Sequence, residues 1–522
     1  MYKPIFLTAL LAASLSAQQG MGRRAAQTPT APIAAAPAQV SPAAPPNGSA
    51  ALERFSATKH SITINGKTIP YTATAGTLVL KNDQDRPTAS IFFVAYTRDD
   101  QQDKTKWPVT FTFNGGPGSS SVWLHMGALG PRRVAMANAE GEQPAPPFHL
   151  VDNEDTGLTV TDLVFIDPVT TGFSRPAPGE SASNFHGFDG DLQSVADFIR
   201  LYLVKFDRWS SPKFLAGESY GTMRAAGLSQ VLLNQHGIYL NGISFISTVL
   251  NFGTINFDPG NELPYVLFLP TYTATAWYHK KLTGTLQSNP IAKTVEEARK
   301  FALGEYATAL MRGDSLPPAE KAKMVQQLAR FTGLPPKYIE ESNLRVPIQR
   351  FTKELLRDQR TTVGRYDSRL KGADADAAGE RGEYDPSYAA VQGAYTAAFN
   401  DYVRNELKWE TDLTYEILTG KVQPWNYSRF TNSYVTTANM LRSAMTQNPA
   451  MKVMFHNGYY DLATPFGATE YVVDHLGLEP AVRGNVKFTY CEAGHMLYMK
   501  KSCLDTLHET MEGLYKSALP AR

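Results

Sequence analysis

The residues best suited to chemistry in this chain are those at 217–221, which read Gly-Glu-Ser-Tyr-Gly. They follow a short apolar run at residues 213–216 that predicts a buried strand. A glycine on each side permits a turn too tight for side chains, which exposes the Ser219 hydroxyl at the strand end. An ordinary glycine–serine turn fits the same five residues, so other parts of the chain must decide whether Ser219 is a nucleophile.

A serine hydroxyl becomes an effective nucleophile when a histidine accepts its proton and an acid orients that histidine. His495 is the candidate base, because it follows Gly494 just after an alternating, strand-like run at residues 486–490. Asp461 is the candidate acid, because it lies in the loop after the preceding apolar run, at residues 452–455. An aspartate that serves only a turn or a helix end is the alternative for Asp461.

A glycine-rich segment, Asn114-Gly-Gly-Pro-Gly118, follows an early strand-like run that ends at Phe113. Acyl transfer places negative charge on a former carbonyl oxygen, and backbone N–H groups stabilise that oxyanion. Hydrolases with this chemistry take one such donor from an early loop and the other from the residue after the nucleophile, here Tyr220. A phosphate-binding loop is the competing interpretation, but the segment lacks the Gly-Lys-Ser/Thr ending of that motif.

Four motifs together resemble the serine carboxypeptidase family and occur in its order: Asn114-Gly-Gly-Pro-Gly118, Gly217-Glu-Ser-Tyr-Gly221, Asn457-Gly-x-x-Asp461 and Gly494-His495. The resemblance implies an α/β-hydrolase fold, in which helices flank a mostly parallel central sheet. It also implies a serine-type carboxypeptidase that hydrolyses the C-terminal bond of peptide substrates through an acyl-enzyme. An esterase or acyltransferase on the same scaffold, and a binding module without activity, are the alternatives.

The resemblance implies specific roles for residues of this chain. It assigns nucleophile, base and acid to Ser219, His495 and Asp461. It assigns the oxyanion N–H groups to Gly116 and Tyr220. It assigns the binding of the substrate's free C-terminal carboxylate to Asn114, Gly115 and Glu218. Because a glutamic acid donates a hydrogen bond to a carboxylate only when protonated, this arrangement favours activity at acidic pH.

The chain departs from animal, plant and yeast relatives at Ala128, where an acidic residue would share a proton with Glu218. We hypothesise that Arg132, Arg133 or His125 helps to hold the substrate carboxylate in place of that acid. The reason is that a guanidinium pairs bidentately with a carboxylate at any ordinary pH. Solvated loop charges are the alternative for the two arginines.

The composition of the chain argues against some classes of binding partner. The 522 residues carry a formal net charge of +1 and no basic stripe, which argues against a nucleic-acid partner or an anionic membrane surface. Residues 1–17 combine Lys3, an apolar stretch and small residues, which predicts a cleaved signal peptide and export to the periplasm or the exterior. The stretch is too short for stable membrane insertion. No Cys/His pairing indicates a metal, and no cofactor is implied; the oligomeric state is not determined.

Composition shifts also predict the domain organisation. Residues 18–50, rich in Ala and Pro, predict a flexible linker. Helical periodicity dominates residues 255–432, which predicts a helical cap inserted between two parts of a hydrolase core, residues 51–254 and 433–522. The two cysteines, Cys491 and Cys503, flank His495. A disulfide and two unpaired thiols are both compatible with this spacing.

Overall fold

The computed structural model describes residues 53–519. The predicted signal peptide, residues 1–17, and the predicted linker, residues 18–50, lie outside the described residues, as does the end of the chain. The strands are, in chain order, β1 (Arg54–Ile64), β2 (Lys67–Lys81), β3 (Pro87–Arg98), β4 (Val109–Phe113), β5 (Arg132–Val134), β6 (Leu150–Asp152), β7 (Asp162–Ile166), β8 (Arg175–Pro176), β9 (Lys213–Ser219), β10 (Gly242–Thr248), β11 (Thr361–Val363), β12 (Lys371–Ala373), β13 (Lys452–Gly458) and β14 (Val486–Cys491).

The helices of the same range are α1 (Val122–Leu124), α2 (Phe188–Lys205), α3 (Tyr220–His236), α4 (Leu263–Tyr278), α5 (Gly284–Ser288), α6 (Ile291–Phe301), α7 (Ala307–Arg312), α8 (Pro318–Thr332), α9 (Pro336–Glu341), α10 (Ile348–Glu354), α11 (Pro386–Asn405), α12 (Ala438–Gln447), α13 (Phe466–Asp474), α14 (Pro480–Arg483) and α15 (Lys501–Ala518). Two π-helical turns, His125–Leu129 and Ala302–Tyr306, continue α1 and α6. Short 3₁₀ turns connect other elements, among them Leu497–Met499 just before α15.

One large sheet has the strand order β1-β2-β3-β7-β4-β9-β10-β13-β14, and β8 pairs with β3. The neighbours from β1 to β7 are antiparallel, and every neighbouring pair from β7 to β14 is parallel. Parallel strands covered on both faces are buried along their length, and β4 is accordingly buried at every position. The predicted mostly parallel sheet flanked by helices is therefore confirmed.

The sheet brings distant parts of the sequence to one edge. The glycine-rich segment follows β4, Ser219 ends β9, the loop with Asp461 follows β13, and the loop with His495 follows β14. Since these strands run parallel, their carboxyl ends meet along one edge, which is where open α/β sheets bind ligands. The order of the strands thus gathers the four motifs that are scattered along the chain.

The chain leaves β10 at Thr248 and returns to its neighbour β13 only at Lys452. Helices α4 to α12 and the hairpin β11–β12 fill this interval. Several of these helices share an apolar cluster of their own, to which α4 and α10 contribute Phe268 and Phe351. The boundaries of the predicted cap, residues 255–432, stay a prediction. Among the helices of residues 53–519, none combines the length and apolar character that a membrane crossing needs.

Candidate active site

Ser219 occupies a strained turn between β9 and α3. Its backbone has φ 60° and ψ −131°, a conformation that side chains rarely adopt outside sites that require it. The flanking glycines are needed for space: a Cβ on Gly217 would lie 2.3 Å from the carbonyl oxygen of Gly221, and one on Gly221 would lie 2.8 Å from that of Phe113. The sharp strand-to-helix turn places Ser219 on the wall of a cavity that His495 also lines.

Asp461 and His495 form a buried pair. The Nδ1 atom of His495 lies 2.8 Å from the Oδ2 atom of Asp461, and the two side chains are 3% and 1% exposed. The Asp461 carboxylate also accepts the N–H groups of Ala463 and Thr464 and the Thr464 hydroxyl, at 2.8–2.9 Å. These bonds fix the carboxylate, so the imidazole keeps one orientation and its Nε2 atom is left for other chemistry.

The pKa of His495 reflects opposing effects. Burial acts to lower it, but the negative charge of Asp461, the hydrogen bond between the two side chains and the charge of Glu218 together raise it above the ordinary value of 6.5. A histidine with a raised pKa and a buried carboxylate partner is suited to accept a proton and to stay stabilised as the cation.

The glycine-rich segment lies directly against the turn. A Cβ on Gly115 would lie 2.3 Å from the backbone nitrogen of Tyr220, and Gly116 has φ +101°, which favours glycine. Tyr220 is the first residue of α3, so its N–H has no carbonyl partner within the helix. The packing therefore brings the backbone of the segment beside an N–H group that the helix does not use.

The buried side chain of Arg224 stabilises the position of the glycine-rich segment. The side chain is 1% exposed and donates from Nε to Asp191 at 2.8 Å and from Nη1 to the carbonyl oxygen of Asn114 at 2.6 Å. The guanidinium thus ties α3 and α2 to the glycine-rich segment. A buried charge paired and hydrogen-bonded in this way fixes geometry more than it adds stability.

Glu218, next to Ser219, is buried and hydrogen-bonded. The Tyr498 hydroxyl donates to its Oε2 atom at 2.7 Å. Burial raises the pKa of Glu218 to about 7, although His495, Tyr498 and Asn114 act to lower it. Below that pH the carboxyl group carries a proton and can donate a hydrogen bond to a ligand. Tyr498 was missed by sequence reasoning, and only its position three residues after His495 pointed to it.

The structure does not support the hypothesis that Arg132, Arg133 or His125 replaces the acid absent at Ala128. Arg132 donates to Asp152 at 2.6 Å and to Glu406 at 3.0 Å. His125 is buried, bonds to the Tyr96 hydroxyl at 2.6 Å, and has a pKa lowered to about 3 by burial. None of the three is among the described residues that line the cavity.

The cavity wall contains the predicted residues Asn114, Gly115, Gly116, Glu218, Ser219 and His495. Residues that sequence reasoning missed also line it, several of them from the interval between β10 and β13: Arg365, Tyr366, Ser387, Tyr388, Val391, Leu418 and Met496. The residues from that interval carried no signal because the interval matches no motif, whereas Met496 directly follows His495.

Cys491 and Cys503 form a disulfide with a Cα–Cα distance of 5.8 Å. It joins the end of β14 to α15 and closes a loop that contains His495.

Replacing both cysteines with serine is expected to lower the free energy of unfolding by about 3 kcal/mol, because the cross-link removes loop entropy from the unfolded chain. Urea denaturation of the double variant measures the change. Wild-type protein treated with a reductant is the matched control and should lose the same amount. An unchanged urea midpoint in both would contradict the prediction.

A strand-to-helix turn with a serine, beside a buried His–Asp pair at the carboxyl edge of a mostly parallel sheet, defines the class of α/β-hydrolases. The family model described as serine carboxypeptidase matches residues 67–492. The chain belongs to the serine carboxypeptidase family.

Curated relatives match shorter segments. The pheromone-processing carboxypeptidase KEX1 of Saccharomyces cerevisiae (strain JAY291) is 30% identical over 196 residues, which are 36% of this chain and 25% of the relative. The serine carboxypeptidase-like protein 36 of Arabidopsis thaliana is 32% identical over 152 residues, 28% of this chain and 29% of the relative. The matched segments thus span only about a quarter of the length of these relatives.

A solved structure extends the likeness in fold. The crystal structure of KEX1(delta)p, a prohormone-processing carboxypeptidase from Saccharomyces cerevisiae, superposes with a TM-score of 0.53 and 17% identity. The match covers 85% of this chain and 91% of the other. At this identity the superposition supports a common fold.

Proposed function

We propose that this protein is a serine-type carboxypeptidase that hydrolyses the last peptide bond of its substrates. Family membership supports the reaction type. The observation that carries the proposal is Glu218, a buried carboxyl group beside Ser219 whose pKa of about 7 lets it stay protonated in neutral to acidic solution. A hydrolase of esters has no need for such a group at its nucleophile, whereas a binder of free carboxylates does.

The proposed chemical steps assign one role to each of the three candidate residues. His495 accepts the proton of Ser219 through Nε2 while Asp461 holds Nδ1. Ser219 then attacks the last peptide carbonyl, and the N–H groups of Gly116 and Tyr220 bind the oxyanion. The His495 cation then protonates the leaving amine. Water hydrolyses the acyl-enzyme in the second half of the reaction, with His495 again as the base.

Recognition of the free C-terminus falls to Asn114, the Gly115 backbone and Glu218. The protonated carboxyl group of Glu218 donates to the substrate carboxylate, and Tyr498 fixes its other oxygen. In this proposal, the scissile carbonyl reaches Ser219 productively only when the leaving residue carries a free carboxylate.

The proposal predicts a strict requirement for that carboxylate. A blocked dipeptide with a free C-terminus is expected to be hydrolysed about 10- to 150-fold faster, in kcat/KM, than its C-terminal amide, because loss of a charged hydrogen bond in a buried site costs about 1.5–3 kcal/mol. Steady-state kinetics with the two peptides measure the ratio. Equal rates would favour a broader hydrolase, and turnover of esters alone would favour an esterase or acyltransferase.

We further propose that the protein acts after export, in the periplasm or outside the cell. The composition of residues 1–17 and the disulfide between Cys491 and Cys503 support this location, since disulfides persist in oxidising compartments. Fractionation of the native source, with mass spectrometry of the mature N-terminus, tests the location. An intact Met1 on cytoplasmic protein would contradict it.

A further inference from the structure

A two-residue segment, Arg365–Tyr366, connects the interval between β10 and β13 to the predicted catalytic loops. The N–H of Leu462, next to Asp461, donates to the Arg365 carbonyl at 3.1 Å. The N–H of His495 donates to the Tyr366 carbonyl at 2.5 Å. The segment is therefore bonded to both loops that supply the acid and the base.

The same segment is fixed from its other side. The N–H of Arg365 donates to the Asp385 carboxylate at 3.2–3.3 Å, and that of Tyr366 donates to the Ser387 hydroxyl at 3.0 Å. The Tyr366 ring lies 5.3 Å from the His495 ring, measured between centroids. Backbone bonds on both sides give the Arg365 side chain a defined origin at the cavity wall.

The Arg365 side chain brings a positive charge to this cavity. It lines the same wall as Ser219 and His495, and its charge acts to lower the pKa of His495. Its guanidinium lies 5.2 Å from the Tyr366 ring centroid. Within residues 53–519 the guanidinium forms no ion pair and donates no hydrogen bond, in contrast to Arg132. A guanidinium so placed is able to pair bidentately with an incoming carboxylate.

We propose that Arg365 is a specificity-determining residue that binds an acidic side chain of the substrate, on a residue that flanks the scissile bond. The inference rests on the proposed carboxypeptidase function and adds the substrate class. The substrate's terminal carboxylate is the other possible source of the same chemistry. We assign that group to Asn114, Gly115 and Glu218, because Glu218 adjoins the nucleophile whereas Arg365 is exposed. The terminal carboxylate has donors there already, which leaves Arg365 for a second anion.

Blocked dipeptides that carry Glu, Gln or Lys at the last or the penultimate position test the proposal. The peptides form two series, one that varies the last residue and one that varies the penultimate residue. In one of these series, wild type is expected to hydrolyse the Glu peptide with a kcat/KM about tenfold above that of the Gln peptide, the effect of one charge-assisted contact. Arg365→Gln should abolish that ratio, whereas the accompanying change in the pKa of His495 should affect the Glu and Gln peptides equally. Arg365→Glu should reverse the preference in favour of the Lys peptide of that series.

Arg381→Glu is the matched control, because Arg381 is an exposed arginine in the same interval but does not line the cavity. Arg381→Glu changes the net charge by the same amount as Arg365→Glu and should leave every ratio unchanged. The proposal is overturned if Arg365→Gln leaves the Glu-to-Gln ratios intact in both series. It is also overturned if that variant slows all free acids equally and spares the amide, which would place Arg365 on the terminal carboxylate. Hydrolysis of the Gln peptides by wild type separately tests the proposed function.

Discussion

Replacement of Ser219 with alanine is expected to lower kcat/KM for a free-acid peptide by about 10⁶-fold, because the acyl-enzyme can no longer form. His495→Ala should cost a similar factor, and Asp461→Asn about 10⁴-fold, because the imidazole then loses its correct tautomer. The measurement is steady-state hydrolysis of one blocked dipeptide by each purified variant. Circular dichroism verifies that each variant is folded.

The three residues are expected to act as a unit. A double variant with Ser219→Ala and His495→Ala should be no slower than either single variant, since each change already abolishes the covalent route. Ser183→Ala is the matched control, because Ser183 is exposed and lies outside the cavity. Retention of most of the activity in His495→Ala would refute the proposed base, even if Ser219 proved essential.

The second large effect concerns the pH dependence of substrate binding. The pKa of Glu218 is about 7, so its carboxyl group is protonated below that pH and charged above it. In the proposed role of Glu218, only the protonated form can donate to the substrate carboxylate, and the charged form repels it. KM for a free-acid peptide is therefore expected to rise as the pH increases through 7.

Variants at two positions separate this effect from others. Glu218→Gln supplies an N–H donor at every pH, so the rise in KM above pH 7 should disappear. Glu218→Ala should raise KM at acidic pH by about 10- to 100-fold, the cost of one hydrogen bond to a charged group. Tyr498→Phe removes a hydrogen bond that lowers the pKa of Glu218, so the rise in KM should move to higher pH. A KM that is independent of pH in wild type would contradict the role of Glu218.

The acid side of the profile provides an internal check. His495 must be neutral to accept a proton, and its pKa lies above 6.5. Activity should therefore fall as the pH decreases through the pKa of His495, and this fall should persist in Glu218→Gln. Opposite limbs set by two neighbouring groups would produce a bell-shaped profile, from which Glu218→Gln removes only the alkaline side.

Much of the fold and the core of the site could be predicted from the sequence, because both depend on short-range patterns. The glycines around Ser219 and in the segment after β4 reflect backbone contacts that exclude a Cβ. Apolar runs before the motifs predict strands, and parallel strands place their carboxyl ends together wherever the remaining chain lies. The pairing of Asp461 with His495 followed from their positions after two such strands.

The tertiary structure alone decided which distant residues share the cavity. Tyr498 reaches Glu218 across 280 positions of the sequence, and Arg365 enters from an interval without recognisable motifs. The same applies to Arg132. Its position close to Ala128 in sequence suggested a role in substrate binding, but its guanidinium forms ion pairs with Asp152 and Glu406. Short-range patterns specify backbone geometry, whereas the partner of a charged side chain depends on the packing of separate elements. For that reason the sequence determined the candidate nucleophile, base and acid, and the packing decided which other side chains surround them.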